Sequence, residues 1–568
     1  ETNFKFEDDQ HKSTRGLPAK AMASFDYENW HRNKYTQSFA TYELNDRDNY
    51  EQLDAYNKFG TDNPMASAYD SYSLYKLYME AQVNYKRVFN NVHDVTAMAL
   101  YMQNDLRRQS ELARRYQGIV GRITYAYDNR YLAEFNAGYN GSENFHKDRR
   151  FGFFPAFSVG WRITQESFME RTSEWLDNLK LRASYGQVGN DAYSVNGVQQ
   201  RFLYEQKWTQ LNNDYYFGTS GQPGIFEEQY PNYAVTWERA HKYNIGLEFG
   251  LFNSRFTGNL DLFYEKRNDI LTEYLTRPWW FGVTSAAGNL GKTTNKGYEI
   301  ELHWNDAIGR DFNYNIGFTF SHAENKITAK DEPALMTAYR KTEGRPIGQY
   351  FGLVADGFVT SADIADPDFP RSTYGDVKVG DLKYRDMNGD GFIDDRDITA
   401  IGYSDLPENT YALNLGAQWK GIGFSLMLQG VDHVSRYYDA EAMYAFVNGG
   451  KVKEHHLDRW NPALSEGENL ANAKYPLLHY DTYADHNQRQ NSFFLKNGSF
   501  LRLKNIEISY SLPEKWIRHA YMSQCRFYVN ANNLITWDHL DGLTDPENNG
   551  SNRYPICKTV NFGVNIQF

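Results

Sequence analysis

The chain is short of cysteine, of positive charge and of long apolar runs, and each shortage excludes a class of protein. Two Cys among 568 residues cannot carry a disulfide scaffold. Lys and Arg number 60 against 72 Asp and Glu, a net charge of −12, and that balance repels phosphate and excludes a general nucleic-acid binder. A membrane helix needs about 20 consecutive apolar residues; the longest stretch of that appearance, residues 151–161, is broken by Gly, Pro and Ser. Residues 1–18 hold no apolar segment of the signal-peptide kind, which leaves either a cytoplasmic protein or a mature or truncated product. Catalytic signatures are absent as well: there is no GxSxG, no Walker loop and no HExxH.

Aromatic residues are plentiful. They make up 16% of the chain, with 44 Tyr, 36 Phe and 12 Trp, too many for a disordered polypeptide. Their placement is periodic. Val560, Phe562, Val564, Ile566 and Phe568 alternate with Asn561, Gly563, Asn565 and Gln567. Tyr243, Ile245, Leu247, Phe249 and Leu251 alternate with Asn244, Gly246, Glu248 and Gly250, and Phe312 to Ser321 repeats the pattern around Asn313 and Asn315. Tyr298, Ile300, Leu302 and Trp304 flank Glu299 and Glu301 in the same way. A period of two puts every apolar side chain on one face of a strand and the polar ones on the other.

Such strands build either a soluble sandwich or barrel, with the apolar face inward, or a transmembrane barrel with that face in lipid. Three features favour the second. The segments run about 9–12 residues, the length of a tilted membrane strand. Aromatics such as Tyr131, Tyr139, Tyr264 and Trp304 stand near strand ends, as interfacial girdles do. Connection lengths alternate short and long. Strands are expected near 116–127, 131–140, 155–164, 179–187, 241–251, 256–266, 296–304, 312–321, 410–419, 422–430, 499–511, 526–536 and 557–568. Weaker ones fall near 19–27, 33–43, 73–88 and 92–102. The fold class is therefore all-β, a transmembrane antiparallel barrel with about 17 strands in this chain. Short turns lie in the periplasm and long loops outside, so Phe568 is expected at the periplasmic end and residues 1–18 in an outer loop. A complete barrel has an even strand count and begins at the periplasm, so about five strands are expected to be missing, giving a barrel of about 22. Cys525 and Cys557 then sit at opposite ends of neighbouring strands and remain unbridged.

Several stretches carry a resemblance. They include GRITYAYDNRYLAEFNAGYNGSENF (121–145), FFPAFSVGWRITQESFM (153–169), LKLRASYGQVGND (179–191), NLGKTTNKGYEIEL (289–302), GDLKYRDMNGDGFIDDRDITAIG (380–402) and NGSFLRLKNIEISYSLP (497–513). Here the chain resembles the SusC/RagA-type TonB-dependent transporters of the Bacteroidetes outer membrane, over nearly all of its length after residue 115. The resemblance implies residues 1–568 to be the C-terminal part of such a receptor barrel, with plug, first strands and TonB box preceding it. It implies a SusD-like surface lipoprotein as lid and energy from the TonB complex through the N-terminal segment. Cargo would be an oligosaccharide or, in some relatives, a peptide.

One ligand motif stands out in the longest loop, expected over 322–409. Asp386, Asn388, Asp390, Asp394 and Asp397 occupy positions 1, 3, 5, 9 and 12 of a Ca²⁺ loop. Gly391 stands at the sharp turn, and Phe392 offers its carbonyl at position 7. Asp in place of Glu at position 12 shortens the last arm. A structural Ca²⁺ site is one reading; a turn of solvated acids is the other. Glu454-His455-His456 reads as solvated loop, because adjacent side chains share no face. Trp279-Trp280-Phe281, Trp208 and Tyr215-Tyr216-Phe217 stand in loops; contact with a glycan, contact with the lid and contact with the membrane rim are the alternative readings. Asn244, Glu248, Glu299, Glu301, Asn313 and Asn315 are expected to face the lumen, lining it or holding the plug. Loops of this length are costly to order without a bound partner, which favours a lid-covered importer over a passive porin or an enzyme.

Overall fold

The computed structural model describes the chain apart from residues 1, 9–16, 46–47, 49–50, 52–55, 110, 335, 439–442, 448–450, 480–485, 549–553 and 555. It divides into two compact units, residues 1–126 with 134–155, and residues 127–133 with 156–568. Among the described residues seventeen strands belong to large-sheet ladders. In the first unit and the segment that follows they are β1 (Thr2–Asp8), β2 (Ala19–Thr36), β3 (Ala66–Phe89), β4 (His93–Arg108), β5 (Arg114–Tyr127), β6 (Tyr131–Ser142) and β7 (Phe151–Arg162). Next come β8 (Leu176–Asn190), β9 (Glu238–Leu251), β10 (Phe256–Thr272), β11 (Gly288–Ile308), β12 (Phe312–Ala329), β13 (Asn409–Trp419) and β14 (Ile422–Asp432). The last are β15 (Phe500–Ser511), β16 (Gln524–Asp538) and β17 (Thr559–Gln567).

In the first unit β1 pairs with β2, β2 with β3 and β3 with β4, all antiparallel. The turn from β3 to β4 places Asn90 and Asn91 at φ 49° and 60°, a left-handed conformation that Asn tolerates. Two expectations are corrected here. Residues 1–18 are not all loop, since Thr2↔Phe25 to Asp8↔Ala19 form a ladder. Residues 19–27 and 33–43 are not two strands either; β2 runs unbroken to Thr36. Trp30 to Asn33 interrupts the alternation, but cross-strand contacts with β3 carry the ladder through. Trp30 stacks on Tyr72 at 6.0 Å between ring centres, and Arg32 pairs with Asp70 at 2.9 Å.

In the second unit residues 156–162 of β7 and strands β8 to β17 follow one another, each antiparallel to the next. The register lines up side chains into rows. One row reads Leu181, Leu247, Leu260, Ile300, Phe320, Tyr411, Gly430, Leu501, Trp537. The adjacent row, on the opposite face, reads Lys180, Glu248, Asn259, Glu301, Thr319, Ala412, Gln429, Arg502, Thr536. The apolar face is the open one: Ile245 is 56% exposed, Leu262 62% and Phe562 79%. A soluble sandwich buries that face; a membrane barrel presents it.

Several strands outrun the expected 9–12 residues. β3 spans 24 residues and β11 spans 21, longer than the hydrocarbon layer requires. The long connections shrink accordingly, to 191–237 and 330–408 instead of 188–240 and 322–409. Short connections at 252–255, 309–311 and 420–421 alternate with long ones at 191–237, 330–408 and 433–499. Strict alternation fails once, because 143–150 is shorter than 163–175, where two 3-10 helices, Ile163–Gln165 and Ser167–Thr172, fill the turn side. No disulfide joins Cys525, the second residue of β16, to Cys557, ahead of β17.

The long connections order one another. Leu353 and Leu382 from 330–408, Tyr438, Met443 and Phe494 from 433–499, and Leu540 from 539–558 form one buried cluster. The cost of ordering such loops is met in part by this core of their own.

Candidate functional site

The polar face of the second unit carries clusters of ion pairs and hydrogen bonds. Arg182 on β8 donates to Glu248 at 2.9 Å, Asn244 at 3.0 Å and Asp261 at 2.7 Å. Lys180 reaches Glu248 at 3.2 Å. Two strands on, Asn259 donates to Glu301 at 3.0 Å and the His303 ring lies 2.9 Å from the same carboxylate. Glu301 thus belongs to a second cluster with Asn259 and His303, whereas Asn244 and Glu248 are joined in the first. Arg182, which organises them, carries no signal in a single sequence beyond its place on the polar face.

Asn313 and Asn315 stand elsewhere, at the short-turn end of the ladder. With Asp306, Gln418, Glu507 and Arg526 they line a groove of about 820 Å³. Glu299 lies in a separate recess beside Thr319 and Gln429.

At the opposite end, the 386–397 segment folds as a tight acid-lined loop. Asp386 accepts the backbone N–H of Gly389 at 2.7 Å and of Gly391 at 2.8 Å. Asp390 accepts that of Phe392 at 3.0 Å, and Asn388 accepts that of Asp390 at 3.0 Å. Gly391 has φ 79°, the left-handed conformation its position in the loop demands. Asp397 is fully buried and accepts N–H groups from Met387 and Asp394, both at 2.9 Å. The guanidinium of Arg396 pairs with Asp390 at 2.8 Å and Asp394 at 2.6 Å, and that hydrogen bond holds the Asp394 carboxyl below its ordinary pKa. The oxygens of Asp386, Asn388 and Asp390 thus cap backbone N–H groups of the turn, and Arg396 supplies positive charge at positions 5 and 9. Among the described residues no group of three or more His, Cys, Asp or Glu is gathered as a metal cluster.

The loop core holds polar groups that sequence reasoning missed or misplaced. His456 is not solvated but 1% exposed. Its Nε2 donates to the Met443 carbonyl at 2.8 Å and its Nδ1 accepts the Lys453 N–H at 2.9 Å. Asp381, equally buried, gathers His479 at 2.6 Å, Asn487 at 2.8 Å and the Lys378 N–H at 2.8 Å. His486 donates to the Leu382 carbonyl at 2.7 Å. Burial pushes the pKa of both His456 and His486 down. Arg502, on β15, is 1% exposed and holds Asp545 at 2.7 Å and Glu547 at 2.6 Å, which ties connection 539–558 to the polar face.

One of the aromatic loop residues, Phe281, borders a second cavity, of about 570 Å³, between connections 191–237 and 273–287. Trp279–Phe281 is a single 3-10 turn; Phe281 reaches the cavity, whereas Trp280 stands 73% exposed outside its lining. Trp208, Tyr216 and Phe217 lie on an antiparallel hairpin, Lys207–Phe217 with Ser220–Tyr230, and are all exposed. The side chain of Tyr215 lies outside the described residues.

Comparison with known proteins matches residues 2–534 to a family profile described as TonB dependent receptor-like, beta-barrel. The chain is 28% identical to TonB-dependent receptor P26 of Formosa agariphila over 79% of its own length and 46% of that protein. It is 27% identical to TonB-dependent receptor SusC of Bacteroides thetaiotaomicron, over 82% of this chain and 45% of that one. The chain spans about half the length of the curated relatives it matches. Among solved structures it is similar to the RagAB peptide transporter, with TM-score 0.75 and 20% identity over 98% of this chain and 60% of that one.

Proposed function

The chain belongs to the TonB dependent receptor-like β-barrel family, and from that premise we propose that it forms the barrel wall and outer loops of a TonB-driven nutrient importer. The observation that carries the reading is the inverted sheet. Its apolar rows are open, and its polar rows are bound into ion pairs, the arrangement of a barrel in lipid around a wet interior. The location is the outer membrane of a Gram-negative bacterium of the Bacteroidetes type, with Phe568 at the periplasmic end and the loop core outside. The polar rows and the turn-end groove then face the lumen and hold a plug contributed by other residues of the whole protein. A SusD-like surface lipoprotein closes over the loop core as a lid, the TonB complex pulls on the plug, and cargo crosses the interior.

Cargo is an oligomeric nutrient, oligosaccharide or peptide. The SusC resemblance points to the first; the RagAB title names the second for that protein. Ca²⁺ at Asp386, Asn388, Asp390, the Phe392 carbonyl, Asp394 and Asp397 would fix the shape of the outer loop, with Arg396 sharing the acids. The family is one of receptors, and no reaction is proposed.

The test is native purification of the whole protein from outer membranes, with mass spectrometry of what accompanies it. Recovery of a plug-bearing segment and a surface lipoprotein in equal amounts supports the reading. A pore that conducts freely, with neither present, replaces it with a passive porin.

A further inference from the structure

The cavity between connections 191–237 and 273–287 has a lining unlike the rest of the surface. Its volume of about 570 Å³ is that of a pocket for a small ligand. Two cations, Lys207 and Arg277, and two carboxylates, Glu228 and Glu273, line it together. They do not neutralise one another: among the described residues none of the four makes an ion pair. Lys207 donates only to Gln200, at 3.4 Å, and Glu228 accepts only the Thr209 hydroxyl, at 2.5 Å.

Arg277 is held by aromatic rings instead. Its guanidinium lies 4.4 Å from the Tyr274 ring centre and 5.3 Å from that of Phe281. This orients the planar donor fork without consuming its hydrogen bonds. Leu203 and Ala287, 4% and 3% exposed, give the cavity an apolar floor. Beside it, strand Ser220–Tyr230 meets Thr284–Ser285 only at Gln229 and Tyr230, so most of that edge keeps its backbone groups open among the described residues.

We propose that this cavity binds a short peptide, of about two or three residues, through both of its free termini. Arg277 and Lys207 take the terminal carboxylate as an oriented, charge-assisted pair. Glu273 and Glu228 take the ammonium group, and the Leu203–Ala287 floor takes an apolar side chain. The open strand edge suits an extended backbone. A neutral glycan uses neither charge sign, and an acidic one meets Glu228 and Glu273. The inference rests on the import reading and narrows its cargo.

The test uses the whole receptor purified in detergent. It is offered a mixture of tripeptides with free termini and an apolar middle residue, the same mixture acetylated and amidated, and maltotriose. Retained ligand is identified by mass spectrometry and its affinity measured by calorimetry. The expected result is retention of the free peptides, about tenfold weaker binding of the capped ones, and about tenfold loss for free peptides in Arg277→Met and in Glu273→Gln. Equal binding of capped peptides, no effect of either substitution, preferential retention of maltotriose, or no retention at all overturns it. Uptake by cells with and without TonB is measured in parallel on unaltered receptor. TonB-dependent uptake without peptide binding at this cavity overturns the subsite alone, and loss of TonB dependence overturns the import reading instead.

Discussion

Gly297 on β11 faces the Phe263 ring across the ladder, and an added Cβ meets both that ring and the His322 carbonyl. This explains why an aromatic residue stands on the otherwise polar face of β10. Gly297→Val is expected to destabilise folding into micelles by roughly 1–3 kcal/mol, read from urea midpoints. The histidines of the loop core give a pH dependence. Burial lowers the pKa of His456 and His486, so the unfolded loops take up protons first as pH falls. Their contribution is complete above about pH 6.5 and is lost progressively below it. Amide exchange in 433–499 is expected to be pH-independent, after correction for intrinsic rates, between pH 7.5 and 8.5. It should accelerate from pH 6.5 to 5; protection that rises on acidification contradicts the assignment. For the acid loop, Ca²⁺ is expected to slow proteolysis of 386–397 and Asp390→Asn to abolish the effect, whereas no Ca²⁺ response in the unaltered protein contradicts the metal reading and leaves the acids to Arg396. Spacing made that loop legible in the sequence. The burial of His456 was not legible, because it depends on Met443 and Lys453 folding back over it.

Strands were legible wherever a two-residue period ran long enough. β9 to β12 and β17 follow directly from it. β1 escaped because Phe4 and Phe6 alternate with charges over only seven residues, and β2 looked broken where its polar stretch pairs with Tyr72 and Asp70 instead of lipid-facing neighbours. The open rows allow a discriminating substitution. Leu262→Arg changes a residue already 62% exposed, which a soluble surface tolerates within about 0.5 kcal/mol. On a lipid-facing strand the same change costs about 2–4 kcal/mol near the midplane. Folding titrations in lipid vesicles are expected to give the larger value. Arg502 marks the opposite face: Arg502→Met leaves Asp545 without its cation and Glu547 with Lys504 alone, and breaking a buried pair costs about 3–5 kcal/mol. Faster protease cleavage within 539–558 is the expected readout, with the sheet itself intact.

On the scale of the whole molecule, fold class was readable and the outer architecture was not. Alternation, strand-end aromatics and unequal connections together give a membrane sheet. The core joining the three long connections was invisible, because Leu353, Leu382, Met443, Phe494 and Leu540 are scattered singly along the chain and share no period. The candidate cavity was hidden for the same reason, since Lys207 and Glu273 come to line one cavity only after β9 and β10 pair. Family membership and the inverted polarity of the sheet point to energised import. The most direct measurement follows accumulation of labelled peptide and oligosaccharide mixtures by cells that depend on this receptor, with and without TonB. Import driven by TonB predicts that uptake of the accepted mixture disappears with TonB and on collapse of the proton gradient. Uptake at the same rate in both strains would contradict it and leave an open pore.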